Sequence, residues 1–275
     1  MRLELSDPRR PLSQRLLGRE LDSWRISLLW TVALLAPSAV VLFARELRWT
    51  ILLLSGAALA VAWQWLFARL RRRRFLPDGW LIAAGLLVLC DPATPAWQWF
   101  MALSFAVVLG DQVFGGRGRY LLSPVLVGAA FQWFSFPPAA APQPVPGLGL
   151  ASLAGLSLLL LHGLLSWRIV AAALLGLGLL LALASATVWP SPDAILIYAM
   201  AFVLTDPSAA AATRTGRWWY GLLAAVLIYL LSEPGQAVGG WRALLFGLLL
   251  AQLFAPLIDR GVLAVVAWRE RRRYA

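Results

Sequence analysis

The stretch AFVLTDPSAA, Ala201 to Ala210, closes an apolar run at 194–205 with an Asp-Pro pair. The same ending stands earlier in the chain: LLVLCDPATP, Leu86 to Pro95, closes the run 79–90. Proline has no backbone N–H and pushes the residue before it out of helical geometry, so each helix stops or breaks at its Asp-Pro. Runs of about 12 residues reach only about 18 Å at 1.5 Å per residue. The hydrocarbon core of a bilayer is about 30 Å thick. Both runs are therefore apolar enough for lipid and too short to cross it as plain helices.

Eight further apolar runs flank these two, at 28–46, 49–69, 95–110, 121–136, 149–166, 168–188, 218–231 and 240–258. Hydrophobic residues make up 61% of the 275 and charged residues 13%, too little charge to cover a soluble surface of this size. The chain reads as an all-α integral membrane protein of about ten transmembrane helices. A Gly pair and an Arg also precede an apolar helix twice, in FGGRGRYLLSPVLVGAAF (Phe114 to Phe131) and VGGWRALLFGLLLAQLF (Val238 to Phe254). Together with the Asp-Pro echo, this divides the chain into two halves of five segments. Five is odd, so the halves are expected to insert upside down relative to one another. Such inverted repeats with broken helices point to a central transport or conduction site. The expected layout is an N-terminal segment at 1–27, a first repeat at 28–136 and a Pro/Ala-rich outer loop at 137–148. A second repeat at 149–260 and a basic tail at 261–275 complete it.

Every cation is Arg, and the net charge is +11. With ten crossings and the N-terminus inside, all but three of the 24 arginines fall on one side, the exceptions being Arg45, Arg48 and Arg242. Cytoplasmic loops carry that excess, so both termini are expected in the cytoplasm of a bacterial-type inner membrane. Arg71 to Arg74 is an orientation signal against anionic lipid. These arginines flank apolar segments instead of clustering with aromatics on a soluble module, which argues against nucleic acid. One cysteine, Cys90, and one histidine, His162, leave no disulfide, no CxxC and no His cluster. The charged, polar N-terminus shows no cleavable leader.

Acidic residues near membrane ends are costly and often functional. The candidates are Asp78, Asp91, Asp111, Asp206 and Asp259. Carbonyls freed at an Asp-Pro break, with the carboxylate, form a cation-binding end. An ion pathway through Asp91, Thr205 and Asp206 follows. The plainer reading of Asp-Pro, a helix stop at the interface, is preferred for Asp91. Asp206 is followed by small and polar residues, Ser208 to Thr215, suited to lining a cavity. The loop Gly115, Gly116, Arg117 has backbone freedom and positive charge that suit a flavin phosphate or a lipid headgroup. No Ser-His-Asp set or GxSxG elbow can be assembled, and the chain holds no catalytic constellation of its own.

These motifs resemble the RnfD and NqrB membrane proteins of the Rnf and Nqr complexes. The resemblance rests on FGGRGRYLLSPVLVGAAFQWFSFP (Phe114 to Pro137), LLSWRI (Leu164 to Ile169), FVLTDPSAAAATRTGRWWYG (Phe202 to Gly221) and APLIDR (Ala255 to Arg260). It implies ten helices in two inverted halves, within a multi-subunit oxidoreductase that couples electron transfer to Na⁺ or H⁺ movement. It also implies flavin: FMN esterified to Thr in a Ser/Thr-Gly-Ala-Thr motif, and in the Nqr branch riboflavin nearby. Here the matching stretch, Pro137 to Ser157, contains no Thr, so covalent FMN is not expected. Tyr120 and Ser123 stand where the family usually has two Asn. A noncovalent FMN or riboflavin would then rest on Gly115, Gly116, Arg117, Tyr120 and Ser123. The expected function is a membrane subunit of an ion-translocating redox complex, alongside other membrane subunits. The alternatives are a flavin-free transporter or channel, or a structural or assembly subunit, on the same scaffold.

Overall fold

The computed structural model describes residues 23–72, 75, 77–116, 118–136, 145–183, 194–232 and 241–274. Among them there are ten helices and no strand, in the order expected. The first half holds α1 (Ser23–Ala44), α2 (Leu47–Leu70), α3 (Gly79–Leu89), α4 (Ala96–Phe105) and α5 (Pro124–Ser135). The second holds α6 (Leu148–Leu161), α7 (Trp167–Leu183), α8 (Ala194–Tyr198), α9 (Arg214–Leu231) and α10 (Trp241–Tyr274). Two π-helical stretches, Ala106–Gln112 and Ala199–Leu204, continue α4 and α8. By length and composition, three helices can cross a membrane on their own: Arg25–Ala44, Leu47–Leu70 and Ala243–Arg272.

The two short runs become the interior. In α3 every residue except Trp80 is buried, and the π-helical end of α8 is buried throughout. α1, α2, α6, α7 and α10 surround them and leave large side chains such as Phe43, Leu150 and Leu161 almost fully exposed. In water that outer surface would be an aggregation liability; in lipid it is the solvated face. Neighbouring helices are held at close range by glycines. A Cβ at Gly155 in α6 would stand 2.4 Å from the Ala33 carbonyl oxygen of α1, and one at Gly221 in α9 would stand 2.6 Å from the Ile169 carbonyl oxygen of α7. Close backbone approach of this kind replaces the hydrophobic effect between helices in a membrane.

Several boundaries differ from expectation, by five residues at Ser23 of α1 and Leu161 of α6, and two have a clear cause. α9 begins at Arg214, not 218, because the Thr213 hydroxyl accepts from the Gly216 N–H and caps the turn. α10 runs through Pro256 to Tyr274, well past 258. One proline removes one helical hydrogen bond, and the Arg, Ala, Leu and Glu residues that follow favour helix. The stretch expected as a basic tail is therefore helical over its described length.

Candidate functional site

The two ends of α3 are chemically different. At its C-terminal end, Arg45 donates to the carbonyls of Leu87 (2.9 Å) and Cys90 (2.7 Å). Arg48 donates to the Thr94 carbonyl at 2.6 Å, and Gln132 to the Thr94 hydroxyl at 2.8 Å. The carbonyls freed by the first Asp-Pro thus already face a cation, the guanidinium of Arg45. Asp91 is half-buried, and its carboxylate accepts from the Ala93 N–H at 3.0 Å, an ordinary Asx turn. Asp91 stands at the C-terminal end of α3 and is not among the residues that line the cavity described next, where Asp206 lies. Arg45→Leu is expected to cost about 1–3 kcal/mol by stripping both carbonyls of their donor. Asp91→Asn should cost less, since an amide oxygen still accepts from Ala93; thermal unfolding of the two variants checks the order.

At the other end lies a cavity of about 300 Å³ between α1, α3, α5 and α8. Its deep wall is apolar and aromatic, with the Phe202 ring centroid 6.2 Å from Trp30 and 5.1 Å from Tyr198. The Tyr198 hydroxyl donates to the Gly85 carbonyl at 3.3 Å, joining α8 to α3. Asp78, Asp111, Asp206, Tyr120 and Ser123 form its polar part.

Asp206 is where the π-helical end of α8 meets the loop before α5. Thr205 is buried, and its hydroxyl donates back to the Ala201 carbonyl at 2.6 Å, finishing the helix. The buried Asp206 carboxylate accepts from the Tyr120 hydroxyl at 2.9 Å and from the Ser208 N–H at 3.1 Å. A π-helical turn leaves carbonyls misaligned with the next turn, and here side chains take them. Tyr220 donates to Leu204 at 3.2 Å and Gln252 to Val203 at 2.9 Å. The Gln252 carbonyl in turn accepts the Ser123 N–H at 2.8 Å. Among the described residues the donors to these carbonyls are neutral, where those at the Asp91 end are arginine.

Across the cavity, Gln64 bridges two buried carboxylates. Its amide donates to Asp78 at 2.9 Å and to Asp111 at 3.4 Å, while its carbonyl accepts the Gly79 N–H at 2.7 Å. Gln112 donates to Asp111 at 2.7 Å. The three carboxylates share the cavity without converging. Among the described residues no three Asp, Glu, His or Cys side chains gather closely enough to hold a metal ion. Gln64 and Gln252 are the members that sequence reasoning passed over. Their only signal was an amide in the middle of an apolar run. Asp259, by contrast, is engaged at the start of α9, accepting from the N–H groups of Ala212 (2.7 Å) and Thr213 (3.0 Å).

Gly115 (φ 112°) and Gly116 (φ 89°) turn the chain, and their N–H groups donate to the carbonyls of Gln112 and Asp111, both at 3.0 Å. They close the π-helical end of α4. Arg117 lies outside the described residues, as do Arg73, Arg74 and 137–144. The described carboxylates of the cavity, Asp78, Asp111 and Asp206, would repel the dianionic phosphate of FMN. A flavin without phosphate avoids that clash, and its ring suits the wall of Trp30, Tyr198 and Phe202.

Comparison with known proteins places this geometry. The sequence model of the NQR2, RnfD, RnfE family matches residues 17–144 and 147–266. The chain is similar to the B subunit of the Na(+)-translocating NADH-quinone reductase of Pseudomonas paraeruginosa, with 29% identity over 91% of this chain and 76% of that protein. The protein of the same name from Azotobacter vinelandii is 31% identical over 73% of this chain and 63% of its own length. That of Yersinia pestis is 29% identical over 77% and 65%.

Proposed function

The chain belongs to the NQR2, RnfD, RnfE family, and from that premise we propose that it is a membrane subunit of an ion-translocating electron-transfer complex whose coupling cation passes through the cavity at Asp206. The observation that carries the reading is the asymmetry between the two Asp-Pro helix ends. At one, Arg45 takes the freed carbonyls; at the other, the carbonyls of Leu204 and Val203 are taken by Tyr220 and Gln252, and a buried carboxylate lines a cavity. A cation entering there meets the carboxylate and the dipoles of the helix end. Asp78 and Asp111, tied through Gln64, add negative potential on the facing side, which draws cations and repels anions. The coupling ion is Na⁺ or H⁺.

The two halves act as inverted repeats about this cavity. Recurring packing supports this: α1 on α3 is matched by α6 on α8, α2 on α4 by α7 on α9, and α4 on α5 by α9 on α10. The pairs α1–α6 and α5–α10 join the halves. The membrane is a bacterial-type inner membrane with both termini on the cytoplasmic side, a reading supported by the arginine distribution. Partner subunits supply the remaining redox centres. Riboflavin, held by Tyr120, Ser123 and the aromatic wall, would supply one- and two-electron chemistry when bound. The second reading is a flavin-free transporter on the same scaffold. It is favoured by the missing Thr motif and by the engaged amides of Gly115 and Gly116.

Two measurements on the purified protein separate these readings. Flavin absorbance that is released on denaturation supports the first. A colourless protein that carries cations across proteoliposomes without partner subunits supports the second and overturns the first.

A further inference from the structure

Helix α10 outlasts the bundle it belongs to. Ala255 is its last buried residue, and Asp259, through Ala212 and Thr213, makes its last hydrogen bonds to another element among the described residues. The helix then continues from Gly261 to Tyr274, about 21 Å at 1.5 Å per residue. Residues 261–268 read GVLAVVAW, with no polar side chain on any face. Leu263, Val265, Val266 and Trp268 are each about half exposed. The run Arg269 to Arg273 then holds four arginines and one glutamate. The Arg272 guanidinium lies 3.9 Å from the centroid of the Trp268 ring.

We propose that this extension is a docking helix for anionic phospholipid, with Val262 to Ala267 in hydrocarbon and Trp268 and the arginines on the phosphate headgroups. This role is independent of the redox reading. A helix that is apolar all round needs apolar surroundings all round, which lipid offers and a one-sided partner groove does not. Tryptophan marks the boundary between acyl chains and headgroups, and the arginine fork matches phosphate oxygens. Charge complementarity selects the anionic headgroup over the zwitterionic one. The stretch bracketed by Arg242 and Arg269 is 26 residues (243–268), or about 39 Å, apolar but for Gln252, Asp259 and Arg260. It exceeds the hydrocarbon core and is accommodated by tilt.

The test places a bimane label at Ala267→Cys in the full chain, with Cys90, 1% exposed, left in place and the parent chain as labelling control. The protein is set in nanodiscs of mixed phosphatidylcholine and phosphatidylglycerol in which one lipid or the other carries brominated acyl chains. Brominated phosphatidylglycerol is expected to quench the label at least roughly threefold more than brominated phosphatidylcholine at equal mole fraction. R269Q/R271Q/R272Q should bring the two to within about 1.5-fold. Equal quenching by both lipids in the arginine-bearing protein overturns the proposal. So does no quenching by either, which would assign the segment to water, a second copy or another protein.

Discussion

Asp206→Asn is expected to weaken cation-coupled activity by roughly 10- to 150-fold, read as a rise in the cation concentration for half-maximal turnover. That range corresponds to losing one charge-assisted interaction of about 1.5–3 kcal/mol. The substitution suits the purpose because it preserves the local structure. The amide oxygen still accepts from the Ser208 N–H, and the Tyr120 hydroxyl, which donates to the other carboxylate oxygen, can turn to accept from the amide N–H. Stability should therefore move by less than about 1 kcal/mol, while the charge is gone. Tyr120→Phe is the companion variant. It removes a neutral donor and leaves the charge, so about fivefold is expected, from about 1 kcal/mol. If Asp206→Asn keeps the half-saturating concentration and turnover of the unaltered protein, Asp206 has no part in the ion path.

The helices were legible because lipid demands long apolar runs and proline marks their breaks. Even the short runs at Asp91 and Asp206 could be singled out by length alone. The residues that follow each Asp-Pro set the two ends apart, a helix stop at Asp91 and a small, polar run after Asp206, but do not say what folds against them. That is Arg45, from the link between α1 and α2, at one, and Tyr120, Tyr220 and Gln252 at the other. Gly115 and Gly116 show the same limit. Glycine freedom predicts a turn correctly but not which carbonyls the turned N–H groups will meet, and here those belong to the π-helical end of α4. The length of α10 exceeds the apolar run 240–258 because the helix continues past the charged pair Asp259 and Arg260, where hydropathy alone ends the segment.

Gln252→Leu should be the most damaging of the substitutions considered to the fold of the cavity, at about 2–6 kcal/mol. Gln252 is fully buried in α10, and its amide joins two elements that no backbone ladder connects. It accepts from the Ser123 N–H ahead of α5 and donates to the Val203 carbonyl in the π-helical end of α8. Leucine matches its bulk and satisfies neither group. Away from water, each orphaned group costs about 1–3 kcal/mol. Gln252→Glu separates hydrogen bonding from shape. A carboxylate can accept from Ser123 but cannot donate to Val203, and it brings a buried charge, so it should rescue nothing. Leu253, the next residue, is half exposed on the lipid side, and Leu253→Ala should fall well below either. Thermal unfolding in one detergent ranks the three variants. A Gln252→Leu protein as stable as Leu253→Ala would mean that the π-helical end of α8 holds its shape without this amide. The cavity at Asp206 would then owe its form to α3 and α5 alone.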